Sequence, residues 1–368
     1  LGEVALLPGL INAHCHLDYT RMAGRLKRPR HFTEWVREII AAKAAWADAD
    51  FADSWQSGAQ MLVRTGTTAV GDIEAVPELL PAAWNATPLR VFSFLEMTGI
   101  GNRPSPRALL QAALDRIGRL KHPRSRAWLS PHAPYSTRPE LLRLATSAAR
   151  RRRWRITTHV AESVQEYEMF TQARGGMHAW LQRVGRSNRD CGLGSPVVHM
   201  DRFGALTSSL LAVHANCLSQ GDAELLGRRC VHVVHCPRSH AYFRHPRFPF
   251  HELTDAGVNV SLATDSLASV VRSGRQPLEL SLFEEMREFQ RRFPKVAPGR
   301  ILEMVTLHPA RALGLPARLG ELSPGAFADL IAVPVSSSRG SLYESIIHHT
   351  GGVRVSMIDG QWAIPPAD

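Results

Sequence analysis

His14 and His16 flank Cys15 at the end of the apolar run ALLPGLINAHCHL. Side chains alternate along a strand, so both imidazoles project to one face and Cys15 to the other. Two neutral imidazoles converging from one side are the start of a metal site. In a chain with 17 histidines one HxH tripeptide decides nothing by itself. Two further runs supply the rest: TTHVAE ends in His159 with Glu162 three residues on, and SLATDS ends in Asp265. Three imidazoles and a carboxylate are a coherent set for one divalent cation, zinc before iron, with a position left for water. Such a cation lowers the pKa of its water to about 7, so the chemistry read here is hydrolysis by one activated water.

Four other residues are placed around that centre. His214 ends LLAVHANCL and has three readings: a fourth imidazole ligand, an acid/base group beside the water, or a core histidine held by a carbonyl. Glu162 reads as a proton shuttle, against the plainer reading of a surface glutamate at a helix start. His132, in SPHAPYS, is assigned to substrate rather than metal, and that segment has no lysine to bridge two cations, so the site is read as mononuclear. Arg238, just after HCP, would meet an anionic or carbonyl group of substrate or else form a structural ion pair.

Each of these residues lies where an apolar run stops. Eight such runs recur: ALLPGLINAHCHL, TTAVGDI, LRVFSFLEM, AWLSPHAPYS, WRITTHVAE, LLAVHANCL, CVHVVHCPRS and VNVSLATDS. Near-continuous apolar character suits strands buried on both faces, and the intervening stretches are long enough for helices. In one of them Thr137–Arg138–Pro139–Glu140 has the form of a capping box, ahead of Leu141, Leu144, Ala145 and Ala148 at helical spacing. Eight strands alternating with helices predict a (β/α)₈ barrel over residues 8–318, with its active site at the C-terminal ends of the strands. Residues 319–368 alternate apolar and polar around Gly and Pro turns, and with residues 1–7 they predict a small β-sandwich. The chain opens inside an apolar strand without methionine, so further strands of that sandwich are expected upstream of it.

Composition bounds the setting. At 44% hydrophobic and 21% charged residues the chain reads as a globular domain, and no run of about eighteen apolar residues predicts a membrane helix. Five scattered cysteines without a CxxC pair predict reduced thiols and a cytoplasmic setting. The net charge of +11 raises the question of nucleic acid, but the densest run, Arg150 to Arg153, closes a helical pattern and reads as a solvated, dipole-complementing end. The partners expected are therefore a small-molecule substrate and a second copy of the chain in a homodimer, with neither nucleic acid nor membrane.

The motifs PGLINAHCHL, SPHAPYST, THVAES, VHANCL, HCPRS and ATDSLAS resemble those of the amidohydrolase superfamily, in the branch that holds chlorohydrolases and aminopurine-nucleoside deaminases. The likeness extends to the segment GELSPGAFADLIAV, and HFTEWVREI is similar to a stretch in the group around aminodeoxyfutalosine deaminase. The resemblance implies that His14, His16, His159 and Asp265 bind the metal and that Glu162 and His214 transfer protons, with Asp265 also acting on the water. It implies substrate contacts for His132 and Ser269. One departure is His240 after HCPRS, where relatives commonly carry asparagine. The activity implied is hydrolytic deamination of an aminopurine nucleoside, aminodeoxyfutalosine or a 5′-substituted adenosine, as in the S-adenosylhomocysteine/methylthioadenosine deaminases. The alternatives are amide or halide hydrolysis on a guanine, cytosine or triazine type of heterocycle, and a non-catalytic scaffold. The complete set of expected site residues argues against the last.

Overall fold

The computed structural model describes residues 2–101, 104–272, 278–335 and 340–367. Among the described residues twelve strands form two sheets. The larger holds β2 (Leu10–Cys15), β3 (Thr67–Glu74), β4 (Arg90–Met97), β5 (Arg126–Pro131), β6 (Ile156–Val160), β7 (Leu210–His214), β8 (His232–His235) and β9 (Asn259–Leu262), all parallel and in chain order. Each strand pairs with the next, with helices between, which is the barrel the alternation predicts. The second sheet is antiparallel, in the order β1 (Val4–Pro8), β10 (Leu330–Pro334), β11 (Val355–Ile358), β12 (Gln361–Ile364), so the two chain ends build a separate small sheet.

The first apolar run is divided between these sheets at Gly9, whose neighbours Pro8 and Leu10 belong to β1 and β2. A Cβ at Gly9 would lie 2.0 Å from Thr68 Oγ1, so only glycine lets the chain pass β3 at this distance. Barrel closure between β2 and β9 is made near the C-terminal mouth. There Cys15 and Asp265 form a parallel bridge, Asp265 N donates to His14 O at 3.2 Å, and the Asn12 amide and Thr264 exchange bonds of 2.7 and 3.1 Å.

Strand alternation divides the core into two layers. Ile11, Ala69, Phe92, Phe94, Leu211 and Val234 fill the barrel interior. Leu10, Val70, Val91, Leu210 and Val233 face outward against the helices. The helix Leu282–Arg292 lays Leu282, Phe283, Met286 and Phe289 on that outer layer at i, i+1, i+4 and i+7 spacing. The helix after β5 spans Pro139–Arg152 and buries Leu141, Ala145 and Ala148 of the four spaced positions, with Leu144 only half-buried. The capping box ahead of it does not form. The N-cap is Arg138, Pro139 opens the helix, and the buried Thr137 hydroxyl has no partner. Pro139 takes the first helical position, where its missing N–H costs nothing and its φ is already helical, so the helix starts after Arg138 rather than after Thr137. All five cysteines are free, and no helix among the described residues is long and apolar enough to cross a membrane.

Candidate metal centre

His159 reaches the C-terminal mouth by simple alternation, sharing the parity of inward-facing side chains on β6, whereas Asp265 lies beyond the end of β9 with a positive φ. Alternation does not bring in His14 and His214. They share the parity of outward-facing Leu10 and Leu210, and local backbone irregularity turns them in. The β2–β3 register shifts between Asn12 and Cys15, and His214 takes φ +79°. Asp265, Ala161 and Ala215 also have positive φ, at +55°, +52° and +49°. For residues other than glycine such backbone costs on the order of 1–3 kcal/mol each, and its concentration at one mouth marks a constrained site.

His14, His16 and His159 are all buried, and each offers a ring nitrogen within 4.8 Å of the others; a ring nitrogen of His214, the sulfur of Cys236 and a carboxylate oxygen of Asp265 also lie within 4.8 Å of one another. His14 Nε2 and His16 Nε2 lie 3.6 and 3.7 Å from Asp265 Oδ1, which ties the two groups into one cluster. Both ring nitrogens of His14 and Nδ1 of His16 are buried without a hydrogen-bond partner. A buried polar atom left unpaired costs about 1–3 kcal/mol, so this arrangement suits a cation that takes the lone pairs. His159 Nδ1 donates to His132 O at 2.9 Å, which fixes the tautomer and leaves Nε2 as the free lone pair.

The electrostatics favour the ligating protonation states. Burial, followed by the neighbouring imidazoles, pushes His16 and His159 well below the usual histidine range, so both are neutral. Burial alone would raise Asp265, but the neighbouring His14 and His214 imidazoles and the Ser239 hydroxyl outweigh burial and hold the carboxyl below its usual range. Ser239 Oγ donates to Asp265 Oδ2 at 2.6 Å.

Glu162 lies beside this cluster with Oε1 3.5 Å from His214 Nε2. Burial, then the charges of Asp265 and Glu166, raises the Glu162 carboxyl well above its usual range, and burial lowers His214. The contact therefore joins a neutral acid to a neutral imidazole, the two states between which a proton can pass. Asn216 Nδ2 donates to Glu162 O at 3.0 Å, and Asn216 Oδ1 is 3.0 Å from His240 Nδ1. His240, the departure noted in the sequence, thus supports the backbone that carries Glu162.

The remaining expected residues divide. The His132 imidazole, 22% exposed at the side chain, lies 3.8 Å from Glu96 Oε1 and bonds Ser136 Oγ at 2.5 Å. Ser269 Oγ lies against Asp265 Oδ2 at 3.4 Å and donates to Ser266 O at 3.2 Å. Arg238 is engaged elsewhere: its Nη1 donates to Glu279 O at 2.9 Å, its Nε is 3.6 Å from Glu285 Oε1, and its backbone N donates to Glu285 Oε2. The structure thus gives Arg238 a structural contact with Glu285 and does not bring its guanidinium into the imidazole cluster.

Sequence reasoning missed Glu96, Ser239, Asn216 and Cys236 as members of the site. Glu96 had a usable signal, an acidic residue at the C-terminal end of an apolar run. Ser239 and Asn216 had none, because a hydroxyl or amide does not announce which distant carboxylate or carbonyl it reaches.

A parallel barrel whose strand ends bring imidazoles and a buried carboxylate together at the C-terminal mouth defines the class of metal-dependent barrel hydrolases. Within that class the chain belongs to the amidohydrolase family, whose model matches residues 5–363. It is similar to the 5-methylthioadenosine/S-adenosylhomocysteine deaminase of Syntrophobacter fumaroxidans, with 33% identity over 353 residues, covering 90% of this chain and 73% of that protein. It is 30% identical over 281 residues to the aminodeoxyfutalosine deaminase of Deinococcus radiodurans, covering 72% of this chain and 64% of the relative. Among solved structures, an adenosine deaminase from Xanthomonas campestris with bound zinc superposes with a TM-score of 0.82 at 25% identity, covering 98% of this chain and 80% of that one.

Proposed function

We propose that this chain is a hydrolytic deaminase that releases ammonia from a 5′-substituted adenine nucleoside. The observation that carries the reading is the Glu162–His214 contact of 3.5 Å beside the imidazole cluster, a paired acid and base next to a ready ligand set. The names of the relatives, which specify methylthioadenosine, S-adenosylhomocysteine and aminodeoxyfutalosine, support the substrate class.

His14, His16, His159 and Asp265 would hold one divalent cation, zinc in preference to iron. When bound, that ion polarises a water and makes it nucleophilic near neutral pH. His214 and the ionised Asp265 accept hydrogen bonds from this water and orient it towards the carbon bearing the exocyclic amine. As the carbon–oxygen bond forms, Glu162 delivers its proton to the adjacent ring nitrogen, which prevents a ring anion. The proton lost by the water passes through His214 and Asp265 to the exocyclic nitrogen. The carbon–nitrogen bond then breaks as the second proton of the added oxygen returns to Glu162, so ammonia leaves, the ring retains a carbonyl and an N–H, and Glu162 is again the neutral acid. His132, with Glu96 behind it, and Ser269 contact the substrate.

The test is ammonia release by the metal-loaded chain from adenosine, 5′-deoxyadenosine, methylthioadenosine, S-adenosylhomocysteine, aminodeoxyfutalosine, guanine and cytosine. Release from a 5′-substituted adenine nucleoside, lost in Glu162→Gln, is the expected result. Silence across the panel with stoichiometric metal bound would overturn it in favour of amide or halide hydrolysis.

A further inference from the structure

The barrel has a second polar end. The N-terminal ends of β4, β5 and β6 and the turn before β7 frame a cleft of about 740 Å³, away from the imidazole cluster. Each strand is several residues long at about 3.3 Å per residue, so this cleft and the C-terminal mouth lie at opposite ends of the barrel. Its floor is aromatic. Trp128 is half-buried and stacked on Phe92, with centroids 5.1 Å apart and rings 14° from parallel. Trp154 forms part of the wall and is also half-buried.

Around the aromatics stand Arg124, Arg126, Arg150, Arg153 and Arg155. None of the five forms an ion pair among the described residues. Three are instead steadied by neutral carbonyls. Arg155 Nη1 donates to Ser208 O at 2.7 Å, Arg126 Nη1 donates to His122 O and Ser125 O at 2.9 and 2.8 Å, and Arg124 Nη2 donates to Thr87 O at 3.4 Å. Arg124 Nε is buried without any partner. The local acids are already used: Asp329 and Asp359 both bind Arg90, at 2.6 Å each. Gly314, at φ +76°, makes room for one of the cations, since a Cβ there would lie 2.7 Å from Arg155 Nε and Nη2.

Guanidinium groups clamped by carbonyls keep their full charge, and gathering five of them beside a single lining carboxylate, Asp359, that Arg90 already binds is unfavourable unless a further anion joins them. Arginine forks match phosphate oxygens two bonds at a time, and tryptophan faces accept a base by stacking. We propose that this cleft is a second ligand site, separate from the catalytic mouth, and that it binds a nucleotide, with the base against Trp128 or Trp154 and the phosphates on the arginine rim. The arginine run that closes the helix Pro139–Arg152 contributes Arg150 and Arg153 to that rim, so it is more than a solvated helix end.

The test uses the full metal-loaded chain in equilibrium dialysis with ATP, inorganic triphosphate, adenosine and a single-stranded oligodeoxynucleotide. ATP is expected to bind about 10-fold more tightly than triphosphate, because stacking adds to the charge contacts. That binding should weaken at least about 10-fold in Arg126→Ala/Arg150→Ala, two exposed positions, with the thermal midpoint unchanged. In the turnover-silent Glu162→Gln chain, an excess of methylthioadenosine, which on the proposed function occupies the mouth, should not displace ATP, and displacement would overturn the proposal by placing ATP in the mouth. Equal affinity for ATP and triphosphate would reduce the cleft to a general anion patch and overturn the proposal. Retention of ATP binding in the double arginine variant would overturn it by placing the ligand elsewhere. Oligonucleotide binding far tighter than ATP would overturn it in favour of a nucleic-acid surface.

Discussion

Asp265 is the residue on which the candidate site turns, since it touches His14, His16, Ser239 and Ser269 within one buried cluster. Its role as an anion depends on donors that outweigh the cost of burial, and Ser239 is the closest of them at 2.6 Å. Ser239→Ala is therefore expected to weaken metal affinity about 10- to 100-fold while leaving the fold intact, as read by competition with a chelator. Wild-type affinity in that variant would show that Ser239 is incidental. Glu162 leads to a different expectation. Glu162→Gln keeps the size and loses the transferable proton, so kcat should fall by about 10²- to 10⁴-fold with metal content unchanged. Loss of metal in that variant would instead make Glu162 a ligand. The histidines and Asp265 were legible in the sequence because ionisable residues at the ends of apolar runs have no reason to be there as core. Ser239, Asn216 and Glu96 were not singled out, since their meaning lies in contacts made across the fold.

The strands and their order could be read from apolar periodicity, but two features of the elements could not. Alternation places His159 correctly, whereas His14 reaches the mouth through a register shift, and His214 and Asp265 through positive φ, which no period-two pattern encodes. The other is closure of the barrel between β2 and β9, which depends on the Asn12–Thr264 pair next to two candidate ligands. Asn12→Ala leaves the buried Thr264 N–H and hydroxyl short of a partner, at a cost of about 2 kcal/mol. Its thermal midpoint should fall and its metal should exchange faster, because closure and ligand placement share the same backbone; a lower midpoint with unaltered metal exchange would separate the two. Helix docking supplies a pH-dependent counterpart. Glu285, on the helix Leu282–Arg292, is buried against Arg238; burial raises its carboxyl to about 8, partly offset by the Arg238 charge and backbone N–H. A carboxyl raised on folding contributes stability that is complete below its unfolded pKa, near 4.3, and is lost as pH climbs through the folded value. Glu285→Gln cannot titrate, so wild-type stability should fall relative to the variant between about pH 5 and pH 9. Parallel pH profiles of the two thermal midpoints would remove Glu285 from the account.

Across the whole molecule the two ends of the barrel carry opposite chemistry. The C-terminal mouth gathers imidazoles and buried carboxylates, and the N-terminal end gathers arginines around tryptophan. The net charge of +11 was visible from composition, but its concentration was not, because Arg124, Arg126 and Arg155 precede or open strands that are far apart in sequence and become neighbours only when the barrel forms. The mouth has a consequence for global stability. His14 and His16 are buried with unpartnered ring nitrogens, so the metal-free fold bears a desolvation cost that a bound cation removes. A ligand that binds only the folded chain stabilises it by RT ln(1 + [L]/Kd), about 4 kcal/mol when free metal is 1,000 times Kd. Stripping the metal with a chelator should accordingly lower the thermal midpoint by several degrees, and zinc should restore both the midpoint and ammonia release. In His159→Ala, which removes a proposed ligand, the same addition of zinc should restore much less of either. A midpoint indifferent to chelator and zinc would mean that the cluster is a preformed hydrogen-bonded core without a resident ion, and the proposed chemistry would lose its nucleophile.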